Sequence, residues 1–189
     1  MADEYVASDS STQLDTSTQR LGSSGRDFGL LILRLGIGAP LLQAGLLKFS
    51  DFSKTVGFME QGGWRAPTLA AFMVSAAETV GGLALILGLL TPLAAMAGIA
   101  TMIDAWAVNV SGAAFWSSPF NQPFVLAFGA AALLFTGAGV FSLDYRLWGR
   151  DTWPRLIAVI VLILAVVAAV ATWVILNGTN PIHLTAPSS

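Results

Sequence analysis

Long apolar stretches broken by short polar segments dominate this chain, and their lengths predict its architecture. A bilayer core about 30 Å thick requires roughly 20 consecutive, mostly apolar helical residues. Residues 123–143 and 156–176 satisfy that requirement without a single charged side chain. Three further stretches satisfy it with interruptions: 28–49 contains Arg34 and Lys48, 68–90 contains Glu78, and 92–110 contains Asp104. The pattern predicts an all-α, polytopic membrane helix bundle of five spans. Thr91-Pro92 separates the second and third spans, so these form a tight antiparallel hairpin, with Pro92 in the first helical turn where its missing N–H costs nothing. Pro40 removes one backbone hydrogen bond inside the first span, which predicts a bend there.

The polar segments complete the outline. Residues 1–27, rich in Ser, Thr, Asp and Gln, lack the apolar core of a secretory signal and read as a disordered tail. Between the first two spans, Phe52, Val56, Phe58 and Met59 alternate with Asp51, Lys54 and Glu60, the pattern of a short interfacial amphipathic helix ending at Gly62-Gly63. The uncharged loop 111–122 carries Phe115, Trp116 and Phe120, which suits headgroup contact or a cap over the bundle mouth. Trp64, Trp106, Trp116, Trp148, Trp153 and Trp173 fall mostly near span ends, as an interfacial aromatic belt requires. With five spans, Arg20, Arg26, Arg146, Arg150 and Arg155 share one side and Lys48, Lys54 and Arg65 the other. That bias predicts a cytoplasmic N-terminus and an external tail over 177–189.

Composition sharpens the picture by exclusion. The 189 residues are 55% hydrophobic and only 11% charged, with a mean hydropathy of +0.72. A soluble domain carries about 25% charged residues. The net charge of −2 and the scattered nine basic residues give no footprint for nucleic acid. The chain has no cysteine, which excludes thiolate ligation and dithiol redox chemistry. The single histidine, His183, lies outside every span, so haem ligation by histidines within the bundle is excluded and no metal site is expected.

What remains is a small set of ionisable groups inside the spans. Each costs at least about 2.5–3.5 kcal/mol at the bilayer centre if left unpaired. At 1.5 Å per residue, Arg34 lies roughly 9 Å into its span, Glu78 roughly 15 Å from the external surface, and Asp104 roughly 18 Å from the inner surface. These depths predict two clusters: Arg34 with Asp144 as an inner-face ion pair, and Glu78, Asp104 and Lys48 as a polar site in the outer half. Arg34, Gly38, Leu41, Gly45 and Lys48 fall on one helical stripe, and its glycines permit close helix approach. Two readings of the outer cluster stand side by side: hydrogen-bonded structural anchors, or a quinone or proton site.

The residues Arg34-Leu35-Gly36, Ala44-Gly45-Leu46-Leu47-Lys48-Phe49, Glu78-Thr79-Val80-Gly81-Gly82, Leu87-Gly88-Leu89-Leu90-Thr91-Pro92 and Gly137-Ala138-Gly139-Val140-Phe141-Ser142-Leu143-Asp144 occur in an order that resembles bacterial DoxX-type membrane proteins. The resemblance runs roughly from residue 30 to 145. It implies a four-helix transmembrane domain over 28–148, with 149–176 adding a loop and a fifth transmembrane helix, in a bacterial plasma membrane. It places Arg34, Lys48, Glu78 and Asp144 on family motif positions. Members are similar to the small subunit of a thiosulfate:quinone oxidoreductase, which implies a subunit that docks a redox enzyme, without a covalent cofactor and with membrane quinone as the candidate ligand. A non-catalytic scaffold or assembly protein, with a protein partner or as a homo-oligomer, and a small-molecule or lipid carrier are the alternatives. The chain departs from the family pattern at Ala138 and Val140, and carries Asn109 where many members have a histidine.

Overall fold

The computed structural model describes residues 2–109 and 122–178, with side chains described over 25–108 and 122–178. Among these residues every regular element is a helix, without a strand. Its elements are α1 (Ala2–Ser50), α2 (Phe52–Gln61), α3 (Pro67–Leu87), α4 (Thr91–Asn109), α5 (Gln122–Thr136), α6 (Leu143–Trp148) and α7 (Arg155–Thr172), the last continuing into a π-helical turn over Trp173–Asn177. Four stretches are long and apolar enough to cross a membrane: Gly25–Ser50, Pro67–Leu87, Thr91–Val108 and Arg155–Asn177. Large apolar side chains such as Ile32, Leu47, Phe72, Val80, Phe128, Ile163 and Val167 point outward. Such an exterior is compatible with a lipid solvent and not with water. The protein is a multi-pass membrane helix bundle.

The fourth predicted crossing is built differently from the expectation. In place of one apolar helix over 123–143, α5 stops at Thr136 after 15 residues, about 22 Å of helix at 1.5 Å per residue. Gly137 and Gly139 then take positive φ values of 80° and 75°, which unwinds the chain into a loop before Ser142 caps α6 through its hydroxyl. Non-helical backbone survives near membrane depth only when protein satisfies it. Here the Gly139 N–H donates to the Asp151 carbonyl at 3.1 Å and the Val140 N–H to Asp27 Oδ1 at 3.2 Å. This loop meets the start of the packed part of α1, whereas Arg65 and Asn177 meet at the far end of the bundle. The Arg65 N–H donates to the Leu176 carbonyl at 2.6 Å, and Asn177 Nδ2 to the Gly62 carbonyl at 3.0 Å. We refer to these as the Arg34 end and the Trp64 end.

At the N-terminus the polar segment expected to be a disordered tail continues α1 backward to Ala2. Extending an existing helix adds a hydrogen bond per residue fixed, whereas starting one does not, so a polar sequence free of proline can follow a nucleus already fixed by packing. Packing itself begins earlier than the predicted residue 28, since Asp27 is buried. The amphipathic segment forms α2 as expected, capped by the Asp51 side chain on the Lys54 N–H and closed by Gly62, with Gly63 at φ 74°.

The α1–α3 contact is the most extensive in the bundle, and glycine explains it. A Cβ on Gly82 would strike the Leu42 N and Gly38 O backbone atoms, and one on Gly45 would strike Thr79 and Ser75. Gly81, one position round the same helix, admits Ala97 of α4. The predicted stripe on α1 therefore does bring two backbones into contact. A Gly82→Val substitution, overpacked against backbone, should lower unfolding stability by about 1–3 kcal/mol. By contrast, Gly36→Ala, whose added methyl meets nothing within 4 Å, should change it by less than about 1 kcal/mol, on the stabilising side. Unfolding of the purified protein in mild detergent measures both.

Candidate functional site at the Trp64 end of the bundle

The ionisable residues separate into two groups at opposite ends, as their estimated depths require. At the Arg34 end the arrangement is a clasp. Arg34 and Asp144 are each 0% exposed, and the Asp144 charge acts on the guanidinium. They do not form the direct ion pair expected. Arg34 Nη2 donates to the Phe141 carbonyl at 2.5 Å, while Asp144 accepts from the Leu90 N–H at 2.6 Å, the Thr91 N–H at 2.9 Å and Trp153 Nε1 at 3.1 Å. The reason is geometric. The α3–α4 turn presents two free N–H groups at the start of α4, and a carboxylate binds such groups and the positive end of the helix together. With its oxygens so occupied, Asp144 ties α6 to the α3–α4 hairpin. Arg34 Nη1 packs on Gly88, whose φ of 62° and lack of a Cβ leave room for it. Arg26 adds a peripheral ion pair to Asp151 at 3.8 Å.

Sequence reasoning missed two members of this clasp. Trp153, read as an aromatic belt residue, donates to a buried carboxylate and lies beneath the Arg150 guanidinium, 5.2 Å from its ring centre. Asp27 was assigned to the tail. Its only signal was its position directly before the first apolar run.

Near the Trp64 end, Lys48 Nζ meets Glu78 Oε2 at 2.5 Å, so the predicted contact between α1 and α3 is a direct ion pair. Glu78 is 2% exposed. The pair borders a cavity of about 250 Å³ between α2, α3, α4 and α7, and Asp104 lines the same cavity. The three residues are thus brought to one place. Lys48 neutralises Glu78, whereas Asp104 has no hydrogen bond or ion pair to any described residue. Alanines at 70, 77, 97, 100, 105 and 168 create the space, and Phe58, Met59, Trp64 and Met73 give it aromatic and thioether walls. Trp64 is buried rather than interfacial and packs edge-on against Trp173, with ring centres 5.6 Å apart at 72°. The Asn109 side chain, loop 111–121 and His183 lie outside the described residues.

With this geometry in place, comparison with known families is informative. Residues 29–111 match the family model of DoxX. The chain carries a DoxX domain. The match includes Arg34, Lys48, Glu78 and Asp104, and therefore every charged residue of the cavity, but it ends before α5, α6 and α7. The terminal motif holding Asp144, which also resembles the family, lies beyond it. No curated protein and no solved structure matches the chain.

The two ends should respond differently to neutral isosteres. Asp144→Asn replaces an acceptor of three N–H groups with one whose amide opposes a donor, and should cost about 3 kcal/mol of stability. Asp104→Asn removes no partner and should leave stability unchanged or raised. Detergent unfolding midpoints for both variants test the contrast, and equal losses would contradict it.

Proposed function

We propose that this DoxX-domain protein is a plasma-membrane subunit that docks a redox enzyme, and that its cavity receives the headgroup of a membrane quinone. The observation that carries the reading is the cavity itself, where apolar, aromatic and methionine walls surround an ammonium, its paired carboxylate and a second carboxyl group. Sites for small membrane-soluble molecules combine such walls with few polar groups. The space also fits a single substituted ring in size.

A quinone bound here would supply a two-electron, two-proton couple, with the electrons coming from the docked enzyme. The roles of this chain's own residues follow from their chemistry. Lys48, a donor with three N–H groups, holds one of them toward Glu78 and orients an acceptor oxygen in the cavity with another. Asp104 exchanges a proton with the ligand, a role suited to a carboxyl group with no fixed partner. Glu78 holds Lys48 in place. The arginine-rich flanks support a cytoplasmic Arg34 end and a Trp64 end, with its cavity, in the outer half of the membrane.

The same cavity also favours a second reading, a small-molecule or lipid carrier, since a carrier needs an internal chamber. Two measurements separate the readings. Purification in mild detergent should recover a stoichiometric redox partner, and quinone binding with partner-dependent quinone reduction should fall at least tenfold in Glu78→Gln and Asp104→Asn. Unchanged behaviour in both variants removes the redox site. Flux across vesicles above the empty-vesicle rate would transfer the assignment to a carrier.

A further inference from the structure

We infer that the cavity at the Trp64 end is also a binding site for amphipathic organic amines, with Asp104 as their counter-ion. The cavity holds one ammonium and two carboxyl groups, and the ammonium of Lys48 is already committed to Glu78. Asp104, facing the same space, has no ion pair and no hydrogen bond to any described residue. An ionised carboxylate in apolar surroundings is unfavourable without a partner, and two remedies exist: a proton or a cation. A neutral quinone headgroup leaves the proton as the remedy. A monocation brings the charge of the cavity to zero, whereas an anion raises its negative excess. The site therefore selects by sign.

The walls specify the rest of the ligand. Trp64 and Phe58 offer ring faces and edges to a cation and to a flat apolar group. Met59 and Met73 adapt their unbranched chains to irregular shapes. The alanines of α3, α4 and α7 set the width to about that of a single ring. Together these features describe a primary or tertiary amine carried on a short aromatic or branched aliphatic body. The site is the one to which the quinone reading assigns a headgroup, but the inference uses only charge balance and lining, so each reading can fail without the other.

The test uses the full-length protein in detergent, titrated calorimetrically with 2-phenylethylamine and, separately, with its neutral counterpart 2-phenylethanol and with a short-chain quinone. The amine should bind saturably. Asp104→Asn should weaken the amine at least tenfold and leave the alcohol within twofold. Ala100→Leu, which fills the cavity without touching a charge, should weaken all three ligands and thereby exclude adsorption to the micelle. An amine isotherm that does not saturate in the wild-type protein, or one equally strong in Asp104→Asn, overturns the inference. Quinone binding without amine binding rejects this inference alone, and amine binding without quinone binding rejects the quinone reading alone.

Discussion

The backbone contact between α1 and α3 is the constraint on which the rest of this bundle depends. Gly38 and Gly45 on one helix and Gly82 on the other remove the side chains that normally hold helices 8–10 Å apart. In lipid there is no hydrophobic drive to join two apolar helices, so close van der Waals packing has to supply the attraction. That approach fixes the relative height of the two helices. It sets Lys48 opposite Glu78 near one end and Arg34 against Gly88 near the other. Both polar groupings are consequences of one register.

Asp144 imposes the second constraint. A carboxylate that accepts from Leu90, Thr91 and Trp153 ties the short α6 to the turn between α3 and α4. This arrangement lets α5 end early. Once Gly137 and Gly139 leave the helical region, the loop that follows is held by Asp27, by Arg34 and by the Asp151 carbonyl. Polar residues that look like isolated liabilities along the sequence thus act as one network closing an irregular stretch of backbone.

How much of this was legible in the sequence follows from which interactions are local. Four of the spans, α2 and the turn at Thr91 follow from length, periodicity and turn residues, all local properties. The division of Arg34 and Asp144 from Lys48, Glu78 and Asp104 followed from counting helical rise, and the Gly38–Gly45 stripe from helical phase. The end of α5 was not read from the sequence, because the 137–142 segment carries no charge and its glycines leave the helical region where donors and acceptors distant in sequence hold the loop. The same holds for Asp144, whose oxygens are claimed by N–H groups of a turn more than fifty residues away. Trp64 and Trp153 were misread for a related reason: proximity to a span end places an indole at the membrane boundary but does not say whether it faces lipid or a neighbouring helix. The family comparison shares this limit, since its matched region holds all the cavity's charges and lacks the helix that completes its wall.

That helix gives the architecture a further meaning. Ala168 and Thr172 of α7 form one side of the chamber, and its terminal π turn is fastened to the Arg65 segment by the Arg65 N–H on the Leu176 carbonyl and by the Asn177 side chain on the Gly62 carbonyl. The part of the chain that matches the family therefore carries the charges of the chamber, while a helix beyond it supplies part of the wall that holds them apart from the surrounding acyl chains.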